Sequence, residues 1–127
     1  MPVTYELDAP KALVRTTCIG NVTLPEVIDH FQKLAEDPQC PDRLDVLLDL
    51  SQQTSIPKSS DLREVTHKIR SVRGRVQFGV CAIVATTDPL YGMLRMFQVF
   101  TEELFRESAV FRCLCDAEIW LSENDAK

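Results

Sequence analysis

Histidine is nearly missing from this chain of 127 residues, in which His30 and His67 are the only two. Each is expected on a solvated helix face without a neighbour that suggests a nucleophile and its base, so triad chemistry has no visible carrier. No uninterrupted apolar run approaches the ~20 residues that span a bilayer, and residues 1–6 (Met-Pro-Val-Thr-Tyr-Glu) have neither the basic segment nor the apolar core of an export signal. The expectation is a cytoplasmic protein with no membrane span. Positive charge is short as well: 14 Lys and Arg stand against 19 Asp and Glu, a net charge of −5. That balance argues against the phosphate neutralisation on which most nucleic-acid binding depends, so nucleic acid is not an expected partner. Internal repeats, linkers and low-complexity segments are absent.

Cysteine is present in an odd number, five (Cys18, Cys40, Cys81, Cys113, Cys115), without a secretory context. Reduced thiols are expected rather than a disulfide framework. Cys113 and Cys115, two apart on an expected strand, would share a face and could ligate a metal if other ligands converged. No second Cys or His pair has the needed spacing, so neither a metal nor a cofactor is expected.

What remains is ordinary globular usage, 45% hydrophobic and 26% charged, enough for one core and one domain, 1–127. The organising stretch is 44–62. Val46, Leu47 and Leu48 in succession suit a strand buried on both faces, as in a parallel sheet covered by helices. The strand gives way to a polar loop, Ser51 to Ser55, and then to a helix start at Lys58-Ser59-Ser60-Asp61-Leu62. In open α/β sheets ligands meet the carboxyl ends of strands, which singles out Asp49, Ser51, Thr54, Ser55, Lys58, Ser59, Ser60 and Asp61. Asp49 is also suited to accept N–H bonds from the loop it precedes.

Around that stretch the order reads as follows. Residues 4–7 and 12–19 flank a turn and form an N-terminal hairpin. Thr23 and Glu26 supply a capping box for a helix carrying Val27, Ile28, Phe31, Leu34 and Ala35, which Asp37-Pro38 stops. A second helix spans 59–72 with the stripe Leu62, Val65, Ile69, Val72; one of its serines is suited to cap it, and Gly74 ends it. Its other face gathers Arg63, His67, Lys68, Arg70, Arg73 and Arg75, which suits an anionic partner or merely complements the helix dipole. A buried strand, 77–85, leads to a third helix capped by Asp88 and reaching about Arg106. Residues 111–115 read as the last strand, Asp116 caps a short helix with Ile119, Trp120 and Leu121, and 122–127 as a frayed tail.

The third helix carries more apolar residues than one buried face requires. Leu90, Met93, Leu94, Phe97, Phe100, Leu104 and Phe105 fill a core arc, while Gly92, Met96 and Val99 form a second stripe beside Arg95, Glu102, Glu103 and Arg106. That stripe suits helix-on-helix contact across a two-fold axis, or the wall of a pocket, or internal packing.

This order, with Leu48-Asp49-Leu50-Ser51 before a serine-bearing helix start, resembles STAS domains, the anti-sigma-factor-antagonist fold. Ala82-Ile83-Val84, the segment 92–97 (Gly-Met-Leu-Arg-Met-Phe) and 117–121 (Ala-Glu-Ile-Trp-Leu) are similar to the SpoIIAA-like, or STAS/Sec14-like, branch. The resemblance implies a single α/β domain with a mixed, mostly parallel sheet, an N-terminal hairpin and about four helices. In anti-sigma-factor antagonists the loop before the second helix reads Asp-Ser-Ser-Gly-Leu, and a partner kinase phosphorylates one serine. Here Lys58 replaces the Asp and Asp61 the Gly, so the serines Ser59 and Ser60 persist in a changed setting as possible phosphoacceptors. The expected function is a non-enzymatic regulatory or protein-interaction module presenting the loop 49–61 and the adjacent helix faces to a protein partner, as a homodimer. The alternative, implied by the Sec14-like relationship, is a small apolar or lipid-like ligand against the third helix, walled by Tyr91, Met93, Met96 and Phe97.

Overall fold

A computed structural model describes residues 2–124. Five strands, β1 (Val3–Asp8), β2 (Leu13–Gly20), β3 (Arg43–Gln53), β4 (Gln77–Val84) and β5 (Glu107–Phe111), alternate with four helices, α1 (Leu24–Glu36), α2 (Ser59–Ser71), α3 (Asp88–Phe100) and α4 (Leu114–Asn124). The chain is a single α/β domain built on one mixed sheet. β1 pairs antiparallel with β2 and the remaining neighbours run parallel, in the spatial order β1-β2-β3-β4-β5.

Strand order equals chain order, so every crossover steps in the same direction. With the usual right-handed connection this puts α1, α2 and α3 on one face. Alternation along the central strands then divides the core. Val46, Leu48, Leu50, Cys81 and Ile83 face Phe31, Leu34, Leu62, Val65, Ile69, Leu90 and Phe97 of the three helices. Leu13, Leu47, Val80, Ala82 and Val84 face Ala117 and Leu121 of α4. Both faces of β3 and β4 are therefore buried, which explains their unbroken apolar runs.

Irregularities at both ends of the strands shape the sheet. Between Leu44↔Phe78 and Val46↔Cys81, β4 holds one residue more than β3, a bulge that leaves Val80 N–H without a main-chain partner. The Asp45 carboxylate supplies one, accepting that N–H at 2.9 Å. It lies where a side chain at residue 79 would start, so an added Cβ would displace the Asp45 carboxylate from its bond to Val80. At the other end of β2, Gly20 turns the chain with φ +71°, a left-handed conformation that glycine adopts without a steric cost. Its carbonyl accepts Thr54 N–H at 2.9 Å.

Several boundaries differ from the sequence expectation. β3 continues through Ser51 to Gln53, where a loop was expected, because Gln52 and Gln53 pair with Ile19 and Gly20 beyond a register shift at which Leu50 and Ser51 of β3 stand opposite Cys18 of β2. α3 ends at Phe100 rather than near Arg106. Thr101 caps it and turns its hydroxyl back onto Phe97 O at 2.9 Å, so Leu104 and Phe105 reach the core from a turn. The last strand is 107–111, not 111–115, and it is an edge strand beside β4. Its sequence, Glu-Ser-Ala-Val-Phe, is too short and mixed to announce a buried strand. Cys113 and Cys115 consequently lie on a bend and in α4, not on one strand face. Asp116 sits in the first turn of α4 instead of capping it. Thr87 precedes α3 as its cap, with Asp88 inside the first turn. α2 ends at Ser71 with Val72 as its cap, ahead of Gly74. Ser122, Glu123 and Asn124 of the expected tail are helical, while the rest of that tail lies outside the described residues. No helix is long and apolar enough to cross a membrane among the described residues.

Candidate functional site

A sheet whose strand order never reverses has no switch point, so the crevice that α/β folds open between diverging helices is not available at the end of β3. The space lies instead beneath the helices. A cavity of about 270 Å³ sits between the carboxyl halves of β2 and β3 and the helices α1, α2 and α3. Leu48, Leu50, Val27, Leu62, Val65 and Phe97 line it, and Ser55, Ile56 and Pro57 cover it in part, leaving it half open to solvent.

The segment over the cavity is tied down. Ser55 Oγ accepts Val22 N–H at 2.9 Å and donates to Val22 O at 3.1 Å, while Gln53 Nε2 donates to Ser55 O at 2.9 Å. The approach to α1 and the approach to α2 are thus fastened to each other. Each helix start is also secured locally. Glu26 accepts both the N–H and the hydroxyl of Thr23, and Asp61 accepts Lys58 N–H at 3.2 Å.

Two polar side chains in the wall have unusual electrostatics. His30 is only 5% exposed, contrary to the solvated position expected for it. It belongs to the α1 stripe by the spacing Val27, His30, Phe31, Leu34, and that spacing was the signal that could have found it. Its Nε2 meets Thr16 Oγ1 at 3.1 Å, and its Nδ1 has no partner among the described residues. Burial pushes its pKa down to about 4, against a smaller upward pull from Asp29. Cys18 is pushed up to about 12 by burial and then by Asp49. The histidine is therefore neutral and the thiol protonated at ordinary pH.

The expected site residues separate into three groups. Asp49, Ser51, Thr54, Ser55 and Asp61 serve the fold: Asp49 Oδ1 accepts Ser51 N–H at 3.0 Å, Thr86 Oγ1 donates to Ser51 O at 3.5 Å, and the bonds of the other three are given above. Lys58, Ser59 and Ser60 are exposed at the start of α2, where Lys58 holds the cap position and neither serine does. On α3, Phe97 alone of the four expected wall residues lines the cavity. Tyr91 lies under the Arg112 guanidinium, 4.1 Å from the ring centre, and within 3.5 Å of Arg95 Nη1. Met93 packs against the core, whereas Gly92, Arg95, Met96 and Val99 face outward, Met96 at 38% and Val99 at 64% exposure. His67 is exposed as expected. Among the described residues no three His, Cys, Asp or Glu side chains are arranged to hold a metal ion. Neither protein-family models nor curated proteins match this chain.

Proposed function

We propose that the chain is a binding module without a catalytic step, of STAS-like type, that takes a small apolar molecule into the cavity beneath residues 55–57. The observation that carries this is a half-open, mainly apolar cleft of about 270 Å³ between the sheet and the three helices. A cavity of about 150 Å³ already holds a single aromatic ring, while drug-sized sites begin near ~300 Å³. The ligand is accordingly one ring or one short chain, smaller than a two-tailed lipid. A neutral imidazole and a protonated thiol in the wall support binding over covalent chemistry, since neither is a ready base or nucleophile.

Titration with 1-octanol, followed by methyl NMR, tests the proposal. Saturable shifts confined to Leu48, Leu50, Leu62 and Val65, abolished by the cavity-filling change Val65→Phe, are expected. Shifts that never saturate, or that survive Val65→Phe, would count against it. Native mass spectrometry of the purified protein should show a co-purifying apolar molecule.

A second reading keeps the surface at the start of α2 as the contact for a protein partner. It is supported by the exposure of Lys58, Ser59 and Ser60 together, where a phosphate on either serine would meet a helix amino end and a lysine. Phosphopeptide mapping that found only Ser51 or Thr54 modified would remove that reading. The exposed stripe Gly92, Met96, Val99 supports self-association as a two-fold dimer.

A further inference from the structure

Four arginines from three separate parts of the chain meet at the amino end of the sheet. Arg43 opens β3, Arg73 and Arg75 follow α2, and Arg106 precedes β5. All four are exposed and line one open groove of about 570 Å³, whose floor is Phe78, Gly79, Leu104 and Phe105. Their backbones are held in place: Gln77 N–H bonds Asp42 O beside Arg43, Arg75 N–H bonds Val72 O, and Arg106 N–H bonds Gly79 O, at 2.8, 2.9 and 2.8 Å.

None of these guanidinium groups is paired with a described residue. The ion pairs among the described residues are Arg15 with Glu118, Lys33 with Asp29 and Arg112 with Asp88. Asp42 and Glu103 line the same groove without forming a salt bridge to it, and they leave it an excess of two positive charges. In a chain of net charge −5, four unpaired like charges brought together repel one another. The carboxyl end of α2 accounts for cations at 73 and 75. It does not account for Arg43 on β3 or for Arg106 beyond α3.

We infer that this groove is a binding site for the phosphate groups of a multiply anionic ligand, recognised by the guanidinium groups of Arg43, Arg73, Arg75 and Arg106. Planar guanidinium forks match phosphate oxygens in pairs. The groove is larger than one phosphate needs, and its charge excess calls for at least two negative charges on the occupant. The phosphates come either from a soluble polyphosphorylated molecule or from anionic lipid headgroups. The site lies at the opposite end of the strands from the apolar cavity and is independent of it.

Calorimetric titration with inorganic tripolyphosphate, and flotation with vesicles of phosphatidylglycerol against phosphatidylcholine, test the inference on the full chain. Wild type should bind at least one of the two anionic probes, more weakly as salt is raised from ~0.05 to ~0.2 M. Arg73→Gln with Arg106→Gln should weaken that binding at least tenfold at unchanged melting temperature. Arg70→Gln with Arg95→Gln, on outer helix faces, should leave it unaltered. Binding to tripolyphosphate alone assigns the phosphates to a soluble ligand, and binding to the anionic vesicles assigns them to headgroups. Absence of binding to both probes, or an equal loss in the Arg70/Arg95 variant, would overturn the inference.

Discussion

The carboxyl ends of β2 and β3 border a half-open apolar space partly covered by a fastened loop, while the amino ends of β3 and β4 open onto arginines with no partner among the described residues. The same parallel strands produce both. At the carboxyl end each chain segment must climb from the sheet onto the same helical layer, so the connections crowd together and bond to one another, as Ser55 does to Val22. At the amino end the chain descends through turns, 73–76 and 102–106, in which Val76, Leu104 and Phe105 enter the core while Arg73, Arg75 and Arg106 stay exposed. One end is organised by packing and the other by charge.

The strongest way to break this contrast is Gly79→Ala, which forces a methyl group into the Asp45 carboxylate under the arginine groove. Displacement of the carboxylate and loss of the Val80 hydrogen bond should cost about 3 kcal/mol, read as a lower urea midpoint. A loss near zero would mean that the bulge yields and the groove floor is soft. Next comes acid. Burial holds the folded His30 near pKa 4 against 6.5 for an ordinary histidine, so the unfolded chain takes up the proton first. The stability this neutral histidine contributes is complete above pH 6.5 and is lost as pH falls toward 4, by about 3 kcal/mol. In His30→Phe that slope should flatten, which denaturant titrations at a series of pH values would detect.

Val65→Phe sharpens the comparison at the apolar end. Overpacking elsewhere in a core costs ~1–3 kcal/mol, but here the cavity has room for the added carbons, and the change should stay within about 1 kcal/mol. A loss as large as elsewhere would show that the cavity closes in solution. The smallest effect is expected at neither end. Met96→Glu on the outer stripe of α3 should alter stability by less than about 0.5 kcal/mol, while sedimentation reports whether the wild-type stripe meets its own copy.

Residues with one dominant requirement were legible in the sequence. The hairpin, β3, β4 and the first two helices announce themselves through period, caps and unbroken apolar runs, whereas Asp49, expected to bond a following loop, accepts the N–H of Ser51 within β3. The boundaries went astray where tertiary pairing decides. Gln52 and Gln53 look like loop residues and become strand only because β2 lies beside them. Thr101 ends α3 through a bond back to its own helix, a feature indistinguishable in sequence from a tolerated helical threonine. The sites were harder still. The cavity depends on how far three helices stand from one sheet, and the arginine groove joins positions 43, 73, 75 and 106 across two crossovers, so no local window contains either.

The unreversed strand order also bears on how this chain assembles. Each new strand from β2 to β5 docks on the one made just before it, and β3, β4 and β5 each bring a crossover helix laid over the growing edge. No strand must wait for a distant segment to be inserted beside it, so loop closures stay short and the relevant search is local at each step. Only α4 crosses to the bare face, and it does so after the strands it covers, β3 and β4, are already paired. During synthesis the sheet can therefore grow from the hairpin outward as the chain emerges, with Leu47, Ala82 and Val84 uncovered until the last helix arrives.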